Sequence, residues 1–263
     1  MKQDGGIGVT NEEYGSVSVS HSDGVAVVEL VHGKANPLDR ELLAAFDHEL
    51  AACAASPAVR SVVITGAGRV FSGGVDLRRM LDEEPAYAEW FIVALGETLA
   101  TLFAFPKPTV AAINGHAVAG GCLLACACDV RFAAEGAKIG VIELSVGVAF
   151  PVSALEILRH AAGPRMEELV YGAALVNVET AIAAGLVHEA MDGGLLLERA
   201  VEEARRLGEL DATAFALTKW SMRAATLERI EHASPQFDAA VIAQWTDPET
   251  RRQLESRFAA PPG

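Results

Sequence analysis

The chain has 263 residues, half of them apolar and a fifth charged, with a formal net charge of −14 at pH 7. That length and apolar content suffice for a large buried core. The acidic balance speaks against a general nucleic-acid-binding role, because phosphate contacts need clustered Lys and Arg; an anionic small ligand needs only a few local cations.

The first 15 residues are polar and Gly-rich and are expected to form a flexible N-terminus. Residues 17–20 and 25–31 alternate in polarity, which predicts a hairpin turning at Ser22-Asp23-Gly24. Pro37 marks a helix start, after which Leu38, Leu42, Leu43, Phe46 and Leu50 recur at helical spacing. A strand over 60–65 follows, then a long helix over 86–105 stopped by Pro106 and Pro108. The β-branched run 109–113 predicts a strand, 120–127 a buried helix and 130–133 another strand. Beyond Gly163-Pro164 the pattern turns helical, over 166–172, 179–184, 195–208, 212–227 and near 248–258, with one short strand at 186–189. This order predicts an α/β core over residues 16–200 and a helical C-terminal region over 201–263.

No basic start followed by an apolar run and a cleavage site opens the chain, so no secretory signal is expected, and the protein is expected in the cytoplasm. The uncharged stretch from Pro108 to Cys128 is long enough for a membrane span, but Asn114, His116, Gly115, Gly120 and Gly121 interrupt it, and no membrane association is expected. Cys53, Cys122, Cys126 and Cys128 lack disulfide spacing. Cys126-Ala127-Cys128 has no partner group to complete a metal site, so buried thiols in a reducing compartment are expected instead.

Two Gly-rich loops carry the functional signal. Phe71-Ser72-Gly73-Gly74-Val75-Asp76-Leu77 follows the strand around Val62–Thr65, and Asn114-Gly115-His116-Ala117-Val118-Ala119-Gly120-Gly121-Cys122 follows Thr109–Ile113. Glycine after a strand lets backbone N–H groups approach a ligand without a Cβ in the way. Two such loops converging would aim a pair of donors at one developing oxyanion. Downstream, Glu143 lies among Val141, Ile142, Leu144 and Val146, an apolar setting that raises a carboxyl pKa toward a useful acid–base range.

The two loops, each after a strand, with Glu143 downstream in Gly140-Val141-Ile142-Glu143-Leu144, resemble the crotonase (enoyl-CoA hydratase/isomerase) superfamily over roughly residues 16–258. The resemblance implies a spiral of ββα units with a C-terminal helical part used for trimer assembly. It also implies an acyl-CoA substrate with no metal or redox cofactor, and a homotrimer or homohexamer. Carried over by position, the N–H groups of Gly73 and Gly120 would hold the thioester carbonyl, and Glu143 would be the acid–base. Val75, Asp76 and Leu77 would lie along the adenine of CoA, with Asp76 equally readable as a helix N-cap. Ser72 and the cations Lys34, Arg78 and Lys219 would meet the CoA moiety, Met80, Leu81, Trp90, Phe91 and Phe150 would line an acyl pocket, and Leu123 would also lie at the substrate. Hydratases of the superfamily carry a second glutamate where this chain has Leu123. That departure resembles the Δ3,Δ2-enoyl-CoA isomerases, as does Leu217-Thr218-Lys219-Trp220-Ser221-Met222-Arg223. A one-glutamate isomerase is therefore expected. A hydratase with an unidentified water-positioning group, and a non-catalytic acyl-CoA-binding protein, remain the alternatives.

Overall fold

Ten strands of the described residues fall into two sheets. The computed structural model describes residues 16–259, so the expectation of a flexible 1–15 segment lies outside the described residues. In chain order the elements are β1 (Val17–Ser22), β2 (Val25–Leu30), α1 (Arg40–Ala55), β3 (Ser61–Gly66), β4 (Val70–Ser72), α2 (Leu77–Asp82) and α3 (Pro85–Phe103). Then come β5 (Thr109–Ile113), β6 (His116–Val118), α4 (Gly120–Ala127), β7 (Val130–Ala134), β8 (Lys138–Gly140), α5 (Glu143–Val146) and α6 (Val152–Ala162). The chain continues through α7 (Met166–Gly172), β9 (Val176–Asn177), α8 (Val178–Ala183), β10 (Glu189–Met191), α9 (Gly193–Gly208), α10 (Ala212–Thr246) and α11 (Pro248–Ala259).

The larger sheet runs β1-β2-β3-β5-β7-β10 and the smaller β4-β6-β8-β9. In the larger one only the β1–β2 hairpin is antiparallel. Its Asp23-Gly24 turn has φ of 51° and 84°, the left-handed pair that a tight hairpin requires. A parallel strand is covered on both faces and so reads as a continuous apolar run; all six residues of β3 are buried. Alternate residues serve two cores. Val63, Val110, Ala112 and Phe132 pack under Leu196, Ala200 and Ala204 of α9. Val62, Ile64, Ala111, Ile113 and Ala133 join the main core with residues of α1, α3, α4 and α6.

Two sequence expectations need correction. The predicted helix 212–227 runs on to Thr246, through Pro235. A proline inside a helix forfeits one backbone bond, and the polar text after Leu227 gave no sign of continuation. What carries the helix onward is tertiary: Val241 and Trp245 are buried, and Glu156 of α6 ion-pairs with Arg229. The predicted strand 186–189 starts three residues later, because the N–H groups of Leu186 and Val187 bend back to the Ala181 carbonyl. Residues 108–128 divide, as expected, into strand and helix: they are β5, β6 and α4 in sequence, mostly buried but with His116 of β6 exposed. One described helix, α3, is long and apolar enough by composition to cross a membrane. Its Phe91, Leu95, Leu99 and Leu102 are buried in the main core.

Candidate active site

The first Gly-rich loop leaves β4 at Ser72. This side chain is wholly buried; its Oγ donates to the Asn36 carbonyl at 2.8 Å and accepts from the Gly74 N–H at 3.1 Å. Ser72 therefore shapes the loop and does not meet CoA, a correction to its expected role. Gly73 needs a second correction. Its N–H already donates to the Ala35 carbonyl at 2.7 Å, so it is not an oxyanion donor.

The free donor lies two residues on. Leu38 and Val75 form a single parallel bridge in which the Leu38 N–H donates to Gly74 O at 2.7 Å and the Asp76 N–H to Leu38 O at 3.0 Å. Such a bridge engages the residues flanking Val75 and turns the N–H of Val75 itself away from Leu38. Among the described residues that N–H has no acceptor. The sequence reading placed Val75 along the adenine, because nothing in the text shows which N–H the Leu38 bridge leaves free.

The second loop meets the first at close quarters. Gly74 has φ +80°, and a Cβ there would stand 3.1 Å from the Gly120 nitrogen; a Cβ on Gly120 would stand 3.8 Å from Val75 Cγ2. Gly120 is the first residue of α4, where N–H groups lack intrahelical partners and the helix dipole favours negative charge. Ala119 before it sits at φ +52°, a conformation that costs a non-glycine residue of order 1–3 kcal/mol and tends to persist at functional sites. Its N–H is fixed on Gly140 O at 2.8 Å. The N–H groups of Val75 and Gly120 are thus the pair brought together.

Glu143 reaches the same place through the smaller sheet. Strand β8 pairs with β6, Ala117 opposite Ile139 and Val118 opposite Gly140, so the chain leading to Glu143 leaves the sheet beside the loop that opens α4. Glu143 is 8 % exposed and its Oε2 has no partner. Burial pushes its carboxyl up to about 7, against the opposing pull of the backbone N–H groups of Glu143 and Ile142. Cys122, in the first turn of α4, is held well above the usual thiol range by the Cys126 sulfur and by burial, and also by the charge of Glu143. Leu123 is 1 % exposed in the main core and brings no second carboxylate. Asp39, next to Leu38, has both oxygens engaged, by the Leu42 N–H at 2.9 Å and by His32 Nε2 at 2.7 Å.

The other expected residues divide. Asp76 is the N-cap of α2, accepting from the Arg79 N–H at 3.0 Å. Leu77 packs against the main core and Met80 is buried in it. Lys34 and Arg78 are exposed beside the first loop and form no ion pair among the described residues. Lys219 is a correction: it is buried and its ammonium is taken by Asp129 at 2.8 Å, so it is not a free cation for a CoA phosphate. Trp90 lies under the Arg40 guanidinium, 4.3 Å from its ring centroid. Phe150 lines a cavity of about 540 Å³ between α6 and α10, with Leu155, Phe237 and Val241.

Two backbone donors beside a lone buried carboxylate can take a proton from the carbon next to a carbonyl and hold the oxyanion that results. Residues 20–259 match the enoyl-CoA hydratase/isomerase family, and the chain belongs to it. It is similar to the crotonyl-CoA hydratase of Syntrophomonas wolfei, 32 % identical over 210 residues, 78 % of this chain and 80 % of the relative. Among solved structures it resembles human mitochondrial Δ3-Δ2-enoyl-CoA isomerase with a TM-score of 0.88 at 26 % identity, covering 92 % of this chain and 96 % of that one. A protein of Mycobacterium tuberculosis, described as an enoyl-CoA isomerase in one solved structure and as a probable enoyl-CoA hydratase in another, matches with a TM-score of 0.80 at 33 % identity, over 85 % and 98 % of the two chains for the first. Crotonase-type architecture and an enzyme of this family are thereby established, while the relatives include both hydratases and isomerases.

Proposed function

We propose that the protein is an acyl-CoA isomerase that shifts a 3-enoyl-CoA double bond to the 2-trans position. The observation that carries this reading is Glu143, a buried carboxylate with a free oxygen, in a site where position 123 is leucine. Hydration needs water held and activated while a proton reaches the neighbouring carbon, work for two groups. Double-bond migration needs one.

Glu143 Oε2 takes a proton from C2, and the electron pair moves into the thioester carbonyl to give a dienolate. The N–H groups of Val75 and Gly120 donate to the thioester oxygen, each worth about 2.7–4 kcal/mol at the transition state. The protonated Glu143 then returns the proton at C4, and the double bond comes to rest between C2 and C3. Electrons and protons balance within the substrate, so no further cofactor is required. Lys34 and Arg78, both uncommitted, are the cations offered to the CoA phosphates. The exposed Leu217, Trp220 and Met222 of α10 fit burial in a homotrimer or homohexamer, which a mass measurement in solution tests.

The deciding assay follows 3-hexenoyl-CoA and crotonyl-CoA separately by absorbance, with Glu143→Gln as control. Conjugation of the 3-enoyl substrate that disappears in the variant supports the one-glutamate isomerase. Rapid loss of crotonyl absorbance overturns it in favour of a hydratase.

A further inference from the structure

Glu143 opens a helix of only four residues. Helices so short do not hold themselves in water, so the position of the carboxylate must be fixed from outside. On its N-terminal side the fixing bond is Ala119 N–H to Gly140 O. On its C-terminal side the chain bends through Gly147 at φ +87°, and the Val148 N–H returns to the carbonyl of Glu143 at 3.0 Å.

Both neighbours of Val148 are gripped from α10. Gln244 Nε2 donates to Gly147 O at 2.8 Å, and Gln244 Oε1 accepts from the Ala149 N–H at 3.1 Å. Trp245 Nε1 donates to Ala149 O at 2.9 Å. One side chain thus holds both the carbonyl before Val148 and the N–H after it, and its neighbour takes the remaining carbonyl of Ala149. Gln244 Nε2 also donates to Thr250 Oγ1 at 3.2 Å, which ties the grip to α11.

We propose that Gln244 and Trp245 are positioning residues for Glu143, acting through the 147–149 backbone, so that the end of the C-terminal helix sets where the base stands. The inference deepens the proposed function and rests on its placing of Glu143 as the base. Neither residue touches the substrate. Because both ends of the Gln244 amide are bonded to the 147–149 backbone, the side chain is itself fixed, which suits it to holding a reacting group in place.

The test uses the full-length protein and the variants Gln244→Ala, Gln244→Glu and Trp245→Phe. Gln244→Glu keeps an acceptor for the Ala149 N–H while losing the donor to Gly147 O, so it separates the grip from mere packing. Two readouts are followed: exchange of the C2 protons of butyryl-CoA with solvent deuterium, and titration of Glu143 by carboxyl ¹³C NMR, with Cys122 watched as the titrating group beside it. Expected are a roughly 10²-fold slower exchange in Gln244→Ala with unchanged KM, a smaller loss in the other two, and a Glu143 titration moved down toward the ordinary carboxylate range. Exchange and titration both at wild-type values in folded Gln244→Ala overturn the proposal. A wild type that shows no exchange, but whose Glu143 titration still moves in the variants, overturns Glu143 as base and leaves the positioning intact.

Discussion

Gly74 and Val118 meet backbone to backbone: a Cβ at Gly74 would lie 2.6 Å from the Val118 carbonyl oxygen, and Gly74 itself has φ +80°. The two Gly-rich loops can approach only because nothing projects there. Gly74→Ala forces both a left-handed alanine, at about 1–2 kcal/mol, and a clash that pushes the loops apart. We expect kcat to fall by about 10²-fold, the usual result of a misplacement near 1 Å, while the melting temperature falls modestly. Gly73→Ala is the control. Its Cβ would stand 3.4 Å from Ala35 O, and its N–H stays on that same oxygen. A Gly73→Ala enzyme with near wild-type kcat, beside an impaired Gly74→Ala, is the expected pattern; equal damage at both would refute the assignment of the donor to Val75.

The raised carboxyl of Glu143 has two consequences of opposite use. For catalysis the base must be ionised, so kcat is expected to rise with pH through about 7 and to flatten above it. Glu143→Gln should lose that limb together with about 10²–10⁴ of the rate. For stability the sign reverses. Between the unfolded value near 4.3 and about 7 the folded state binds more protons than the unfolded one, so stability falls as pH rises across that window. The full cost is on the order of 4 kcal/mol by the linkage slope. Glu143→Gln should therefore melt higher than wild type at pH 8, with the gap closing toward pH 5. A gap independent of pH would mean that Glu143 is not held in its apolar setting.

Much of this was legible in the sequence where local chemistry decides the outcome. Strand β5 and helices α4 and α7 fall on their predicted residues, because β-branched runs, glycine starts and proline stops act locally. Gly120 and Glu143 stand where the loop-and-glutamate spacing puts them. What escaped depends on partners far along the chain. The donor at Val75 is set by a single bridge to Leu38, and the residue next to a glycine pair gives no hint of it. The extension of α10 past Pro235 depends on burial of Val241 and Trp245, and the grip of Gln244 on Gly147 spans 97 residues. The short elements β4, α2, β6, β8 and α5 carry too few residues for any period to register.

The proposed isomerase reading turns on Leu123, and it can be tested at that position. Leu123→Glu puts a carboxylate into α4, the helix whose first turn carries Gly120, but at a place now 1 % exposed. A buried carboxylate without a partner costs stability, so a lowered melting temperature is expected. Crotonyl-CoA hydration should rise above the wild-type level in the same variant, while 3-hexenoyl-CoA isomerisation falls. If wild type already hydrates crotonyl-CoA well and Leu123→Glu merely improves it, leucine is not what sets the reaction.

The far end of α4 is fastened by buried charge. Asp129 holds Lys219 and Arg223 of α10 at 2.8 Å each, and Arg223 also donates to the carbonyls of Phe103 and Ala127. Arg223 thus satisfies the last carbonyl of α3 and the last of α4, a placement the helix dipoles favour. Lys219 is the weaker member: burial lowers it to about 8. Between about 8 and its unfolded value near 10.4 the unfolded state binds more protons, so this group makes stability rise with pH in that window. Removing the shared anion is another matter. Asp129→Asn leaves two buried cations without a counter-charge, and breaking such a pair costs about 3–5 kcal/mol. Lys219→Met keeps the Asp129–Arg223 pair, so no buried charge is left without a counter-charge, and an apolar chain of similar length fills the space. Denaturant unfolding at pH 7 should therefore show Asp129→Asn several kcal/mol below wild type and Lys219→Met close to it. Comparable losses in both would mean that the ammonium, rather than the carboxylate, carries this junction.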